Sequence, residues 1–187
     1  DDYALLYLSD SENGDALFIA DVYSAFPDSE KCERLSNITT IYAGNGDDII
    51  DLTTDKFEFA ADQIKVYGGD GNDVIWAGKD APGFFYGDRG NDCLIGSASK
   101  DCFIGGADDD VMHGGGGNDL FAYGDPSSWG NDIIYQLSGE GNSVQLFFEQ
   151  EELENKLIKE RFDGGMHISV AGYENSSITI YSTENIT

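Results

Sequence analysis

The chain is expected to be all-β, a parallel stack of short strands joined by tight turns, and three observations lead there. Within residues 87–122, GDRGNDCLIGSASKDCFIGGADDDVMHGGGGNDLFA, an aspartate falls every nine residues, at Asp92, Asp101, Asp110 and Asp119. A large apolar residue stands two places after each, at Leu94, Phe103, Met112 and Phe121. The residues leading to each aspartate are rich in glycine, which suits turns needing positive φ, and the apolar remainder is the length of a very short strand.

The elements follow in chain order. Residues 3–23 carry two apolar runs, YALLYL and ALFIADVY, around SDSENGD, which predicts a hairpin at the N-terminal end. Its acidic tip lacks the aspartate spacing of an EF-hand loop. From residue 43 the nine-residue beat takes over: AGNGDDIID holds Asp48 and Ile50, GGDGNDVIW holds Asp73 and Ile75, and four consecutive units begin at Gly87. GDPSSWGNDII fits the same pattern with four residues inserted before Asp132. Two units are degenerate: GKDAPGFF has Pro82 at the expected aspartate, and SGEGNSV has Ser143 there. The segment TTDKFEFAADQ, residues 53–63, replaces one turn and is expected to cap that side.

If two units make one coil, units eighteen apart share a side. Asp48, Asp73, Asp92, Asp110 and Asp132 then form one column, and Asp101 and Asp119 the other. Tyr42, Tyr67, Tyr86 and Tyr123 each precede a turn of the first column, with Ile104 at the fifth such position, whereas no tyrosine precedes the second. Aligned rungs of a parallel stack produce such a ladder, with Leu94, Phe103, Met112 and Phe121 inward as a narrow core. Beyond Phe148, EQEELENKLIKERF is spaced for one short helix. RFDGGMHISVAG and SSITIYST read as strands, with turns at Asp163-Gly164 and at residues 173–177.

Thirty-six acidic side chains against ten basic ones give a net charge of -26. Such a chain repels nucleic acid and anionic lipid, and its natural partner is a cation. With 40% hydrophobic and 12% aromatic residues it is not a solvated acidic tail. Cys32, Cys93 and Cys102 have neither zinc-site spacing nor the density of a disulfide scaffold. Cys93 and Cys102 are expected to face outward on opposite sheets. No run of about eighteen apolar residues and no basic-then-apolar leader occur, so a soluble chain that inserts in no membrane is expected. Starting at Asp1, it is expected to be a piece of something longer. His113 and His167 are the only histidines, and HExxH, GxSxG and P-loop patterns are missing, so no enzyme and no catalytic residue is expected. Asp125-Pro126 reads as a turn.

Stacked turns bring aspartates of successive coils to about 5 Å, where bare carboxylates repel. A hard divalent cation between the turns reverses the sign by accepting aspartate oxygens and the carbonyls that glycine turns leave inward, an all-oxygen set that suits calcium.

This pattern resembles the RTX repeat, GGxGxDxUx with U a large apolar residue, over residues 43–145. The resemblance implies a calcium-bound parallel β-roll, with repeats at 43–148 between capping strands at 1–42 and a capping segment at 149–187. It implies metal ligands at Asp48, Asp73, Asp92, Asp101, Asp110, Asp119 and Asp132. Backbone ligands are implied from the turns holding Gly44, Gly46, Gly69, Gly71, Gly87, Gly90, Gly106, Gly115 and Gly117. Counting gaps between neighbours gives roughly five calcium ions, four on the first side and one on the second. It further implies a module of a bacterial toxin or adhesin, disordered without calcium, exported by the type I secretion machinery and found outside the cell or on its surface. Two other functions fit the same residues: a module whose tyrosine ladder or N-terminal region contacts a cell-surface ligand, and the C-terminal part of a secreted hydrolase whose active site lies elsewhere.

Overall fold

A computed structural model describes residues 4–9, 12–18, 38–53, 63–136, 141–147 and 151–182. Through its first thirteen described strands the chain alternates between two sheets. One sheet holds β1 (Ala4–Tyr7), β3 (Ile38–Asn45), β5 (Ile64–Asp70), β7 (Gly83–Arg89), β9 (Cys102–Ala107), β11 (Leu120–Tyr123) and β13 (Ser143–Leu146), in that order. The other begins with β2 (Ala16–Phe18), β4 (Ile49–Asp51), β6 (Val74–Trp76), β8 (Cys93–Ile95), β10 (Val111–His113) and β12 (Asn131–Gln136). Neighbours within both runs are parallel. The result is the parallel β-roll expected from the sequence.

The roll is narrow because each strand contributes few inward side chains. In regular coils the partner of a residue is eighteen positions on, as Leu94 with Met112 and Phe103 with Phe121. Ile41, Val66, Phe85, Phe103 and Phe121 line one sheet's inner face, and Ile50, Ile75, Leu94, Met112 and Ile134 the other, all at most 1% exposed. The phenylalanine rings stack at 5.6 and 5.1 Å along the axis. Burial of such side chains contributes roughly 1.5–3 kcal/mol each and offsets the cost of ordering glycine-rich turns. On the outer face Tyr7, Tyr42, Tyr67 and Tyr86 stack at 4.8, 4.9 and 4.4 Å. The thiols of Cys93 and Cys102 are free, on opposite sheets and half-buried.

Four sequence expectations change. The described parts of the expected hairpin over residues 3–23 do not pair with each other: β1 pairs with β3 and β2 with β4, so they form a further coil with its two strands on opposite sheets. Its first strand places Tyr7 at the start of the tyrosine ladder. Tyr123 leaves that ladder, because β11 aligns Phe121 with Phe103 and so sets Ala122 beside Ile104. Tyr123 instead turns inward, 4% exposed, edge-on to Trp129. The expected helix after Phe148 is reduced to the four-residue α1 (Glu151–Glu154), and most of the remainder is strand β14 (Leu157–Phe162). Pairing with β15 (Gly165–Val170) overrides the local helical spacing. The turn expected at 173–177 lies earlier, at Ala171-Gly172, and β16 (Tyr173–Ser182) starts at once. Cys32 and most of the 53–63 segment lie outside the described residues.

The C-terminal strands extend the second sheet. β16 runs parallel to β12, β15 returns antiparallel to it, and β14 forms the edge. Pairing crosses both segment boundaries, since β3 spans residue 42 and β16 joins β12. Phe103, sandwiched between Phe85 and Phe121, is the test of this core: Phe103→Ala is expected to destabilise the calcium-loaded fold by about 3–5 kcal/mol. Urea unfolding followed by circular dichroism measures it.

Candidate metal centre

The turns that carry the chain from the first sheet to the second build one column of aspartates. Asp48, Asp73, Asp92, Asp110 and Asp132 all lie there, 0–2% exposed. Their backbones and carboxylates interlock between coils. The Asp48 N–H donates to Asp73 Oδ1 at 2.8 Å, Asp73 to Asp92 at 2.8 Å, Asp92 to Asp110 at 2.9 Å and Asp110 to Asp132 at 3.0 Å. The turns of the opposite side repeat the arrangement: Gly83 N–H donates to Asp101 Oδ1 at 2.8 Å, and Asp101 N–H to Asp119 Oδ1 at 3.0 Å.

One oxygen of each carboxylate is thereby fixed, and the other is left over. The Oδ2 atoms of Asp48, Asp73, Asp92, Asp110, Asp119 and Asp132 are buried with no hydrogen-bond partner. Asp101 differs, because the Ser97 N–H and hydroxyl donate to its Oδ2 at 2.7 and 3.0 Å. A buried carboxylate oxygen without a donor or counter-charge costs several kcal/mol if ionised. Burial therefore pushes Asp110 up to about 8, Asp92 to about 7, and Asp73, Asp119 and Asp132 to about 6, with backbone N–H bonds opposing the shift, neighbouring carboxylates adding to it and, at Asp132, the Tyr123 hydroxyl also opposing it. Asp48 and Asp101 are raised as well, again by burial first.

Glycine supplies the rest of the geometry. Gly44, Gly46, Gly69, Gly71, Gly90, Gly106, Gly115 and Gly117 have φ between 85° and 143°. A Cβ on Gly69 would collide with the Gly44 carbonyl oxygen, and one on Gly90 with that of Gly71, so these carbonyls are aimed along the stack at the next turn. Gly87 differs from the rest: its φ is not positive, and it is small because a Cβ would strike Asp92 Oδ2 and the Gly105 carbonyl. Among the described residues no three acidic, histidine or cysteine side chains converge. A metal in a gap between turns would draw on carboxylates and on backbone carbonyls, the oxygen-only donors that suit calcium.

Two degenerate units are placed differently from the sequence expectation. Gly83, not Pro82, stands at the aspartate position, since its N–H makes the bond to Asp101 that aspartates make elsewhere. Asn142, not Ser143, stands at the other, accepting the Asp119 N–H on Oδ1 at 2.8 Å, while Ser143 pairs with Leu120. The inserted turn is held by Asp125, whose Oδ1 and carbonyl accept the N–H groups of Ser127 and Ser128 at 2.8 and 3.1 Å. The Ser176 hydroxyl of β16 donates to the Pro126 carbonyl at 2.6 Å. Ile178 pairs with Asp132, so the first column ends on a buried apolar side chain.

One functional row was missed. The residue before each first-column aspartate forms a side-chain ladder on the outer rim. Asn72 donates through N–H and Nδ2 to Asp47 Oδ1, Asn91 likewise to Asn72 Oδ1, Asp109 N–H to Asn91 Oδ1, and Asn131 to Asp109 Oδ1, at 2.7–3.3 Å. The Ser177 hydroxyl meets Asn131 Oδ1 at 3.1 Å, carrying the ladder into the cap. The recurring Asn-Asp and Asp-Asp pairs were its signal in the sequence.

The class is thus a parallel β-roll whose turns stack buried carboxylates and inward carbonyls on both edges. The RTX calcium-binding nonapeptide repeat matches it in four copies, at residues 40–54, 65–81 and 86–121, and the chain carries an RTX calcium-binding repeat domain. No curated protein shows a significant match to the chain.

The raised carboxylates set a pH dependence. Their folded pKa values lie above the ordinary 3.8, so protons favour the metal-free fold. That stabilisation is full below about 3.8 and is lost as pH rises through about 6 to about 8. In chelator, far-ultraviolet circular dichroism is expected to show β signal growing as pH falls from 8 toward 4.

Proposed function

We propose that this chain is a calcium-dependent folding and stabilising module of a large bacterial protein exported by the type I secretion machinery, a toxin or adhesin, and that it is not itself an enzyme. The observation that carries this reading is the row of buried, partnerless Oδ2 atoms facing carbonyls aimed between turns. Asp48, Asp73, Asp92, Asp110 and Asp132 would hold ions in four gaps and Asp101 with Asp119 in one, roughly five ions in all. Bound calcium supplies positive charge and open coordination sites at which these oxygens replace water. Ser97 already satisfies part of Asp101, so the second-side gap is the weaker.

Calcium bound to the folded form alone stabilises it by mass action. Low calcium in the producing cell leaves the repelling column unfolded and fit for export, and millimolar calcium outside folds it. A location outside the cell or on its surface follows from that logic and from the repeats. Both histidines have structural partners on the outer face: His113 stacks on Tyr135, and His167 Nδ1 bonds Thr179 Oγ1 at 3.1 Å.

A calcium titration followed by far-ultraviolet circular dichroism, with magnesium as control, tests the proposal. A cooperative gain of β signal with calcium and not with magnesium is expected, because magnesium demands rigid octahedral ligation and sheds water reluctantly. Asp92→Asn is expected to raise the calcium midpoint about tenfold or more, a loss of at least ~1.4 kcal/mol. A chain equally folded at neutral pH in chelator would overturn the reading.

A further inference from the structure

Asp48, the first column aspartate within the matched repeats, reaches toward a coil outside them. Its Oδ1 accepts the Asp15 N–H at 2.5 Å, and its Oδ2 is buried without a partner. The described residues on that side, Leu8 and Asp15 among them, stack in register on the coil that holds Asp48. Leu8 N–H donates to the Tyr42 carbonyl at 2.9 Å, Ile49 N–H to the Asp15 carbonyl at 2.9 Å, and Ala16 pairs with Ile49. Asp15 therefore occupies the column position of the repeat aspartates, although its sequence, SDSENGD, is not a repeat.

The internal bonding of this turn reproduces one that lies within the match. Ser9 N–H donates to Asp15 Oδ2 at 2.5 Å, as Ser97 N–H does to Asp101 Oδ2 at 2.7 Å. A third oxygen faces the same gap, because the Asp47 carbonyl is aimed at Gly14, whose φ of 74° and missing Cβ permit the approach. The wholly buried, half-unsatisfied Asp48 carboxylate and the Asp47 carbonyl thus lie against the coil that carries Asp15.

We infer that the column of calcium sites begins one coil before the repeats, with an additional divalent-cation site between the coils of Asp15 and Asp48, held by Asp15, Asp48 and the Asp47 carbonyl. The inference rests on the inter-turn calcium reading above. Seven steps separate Leu8 from Asp15 against five from Ala43 to Asp48, and Asp15 is only half-buried. Water supplies more of the coordination here than in the interior gaps, so this site fills last. Its occupation fastens the first coil, and with it Tyr7, onto the roll.

Native mass spectrometry of the calcium-saturated chain counts the ions directly. Asp15→Asn, which keeps an oxygen for the Ser9 N–H, is expected to bind one ion fewer than the unaltered chain. Leu17→Ala, which weakens the same coil's packing and leaves both carboxylates, is expected to keep the full count in excess calcium. Asp92→Asn serves as the control and is expected to lose at least one ion. An unchanged count for Asp15→Asn, with ions lost from Asp92→Asn, would overturn this site alone. Equal loss from Asp15→Asn and Leu17→Ala would assign the ion to the coil rather than to the carboxylate and overturn it too. No loss from Asp92→Asn would bring down the inter-turn reading and this site with it.

Discussion

Everything in this roll depends on stacking carboxylates at the spacing of β-strands with no basic side chain among the described residues to answer them. Each coil adds a buried aspartate whose Oδ1 is locked by the backbone of the coil before it, so the charge cannot swing out to water. The hydrogen bonds that set the register are the same ones that hold the unsatisfied oxygens inside. Neutral side chains at these positions would relieve the repulsion and remove the counter-ion sites together.

The two oxygens of each aspartate divide the work. Oδ1 ties coil to coil within the folded roll, and in all but Asp101 Oδ2 is left over in the gap. Where a turn has a serine in place of the second-position glycine, as at Ser97 and Ser9, the reserved oxygen gains a donor from the protein itself. Such turns tolerate the metal-free state better and gain less from a cation. The Asp47, Asn72, Asn91, Asp109 and Asn131 ladder on the rim holds the spacing of the same turns from outside, with asparagine amides donating to carboxylate and amide oxygens.

The ends of the column are treated differently. At the C-terminal end Ile178 replaces the aspartate, and Ser176 and Ser177 fasten the inserted turn and the rim ladder, so the charge column stops against an apolar lid. β15 and β14 then extend the sheet antiparallel, which ends the coil winding. At the other end the column continues through Asp15.

The nine-residue beat by itself determined the all-β class, the sorting of aspartates into two columns and the inward row from Leu94 to Phe121, because a period that strict leaves each residue type one place in a coil. It did not determine registers where the beat is broken. The structure reassigns Pro82 and Ser143 to Gly83 and Asn142, and Tyr123 from the ladder to the core, since backbone pairing with a neighbouring coil, not distance along the chain, decides which residue fills a position. The same reason explains the N-terminal runs, whose local pattern suits a hairpin but whose partners are β3 and β4. Likewise LIKERF has helical spacing and becomes an edge strand. Local sequence set the turns and the periodicity; only the stacking of distant coils decided which oxygens were left buried and unpaired.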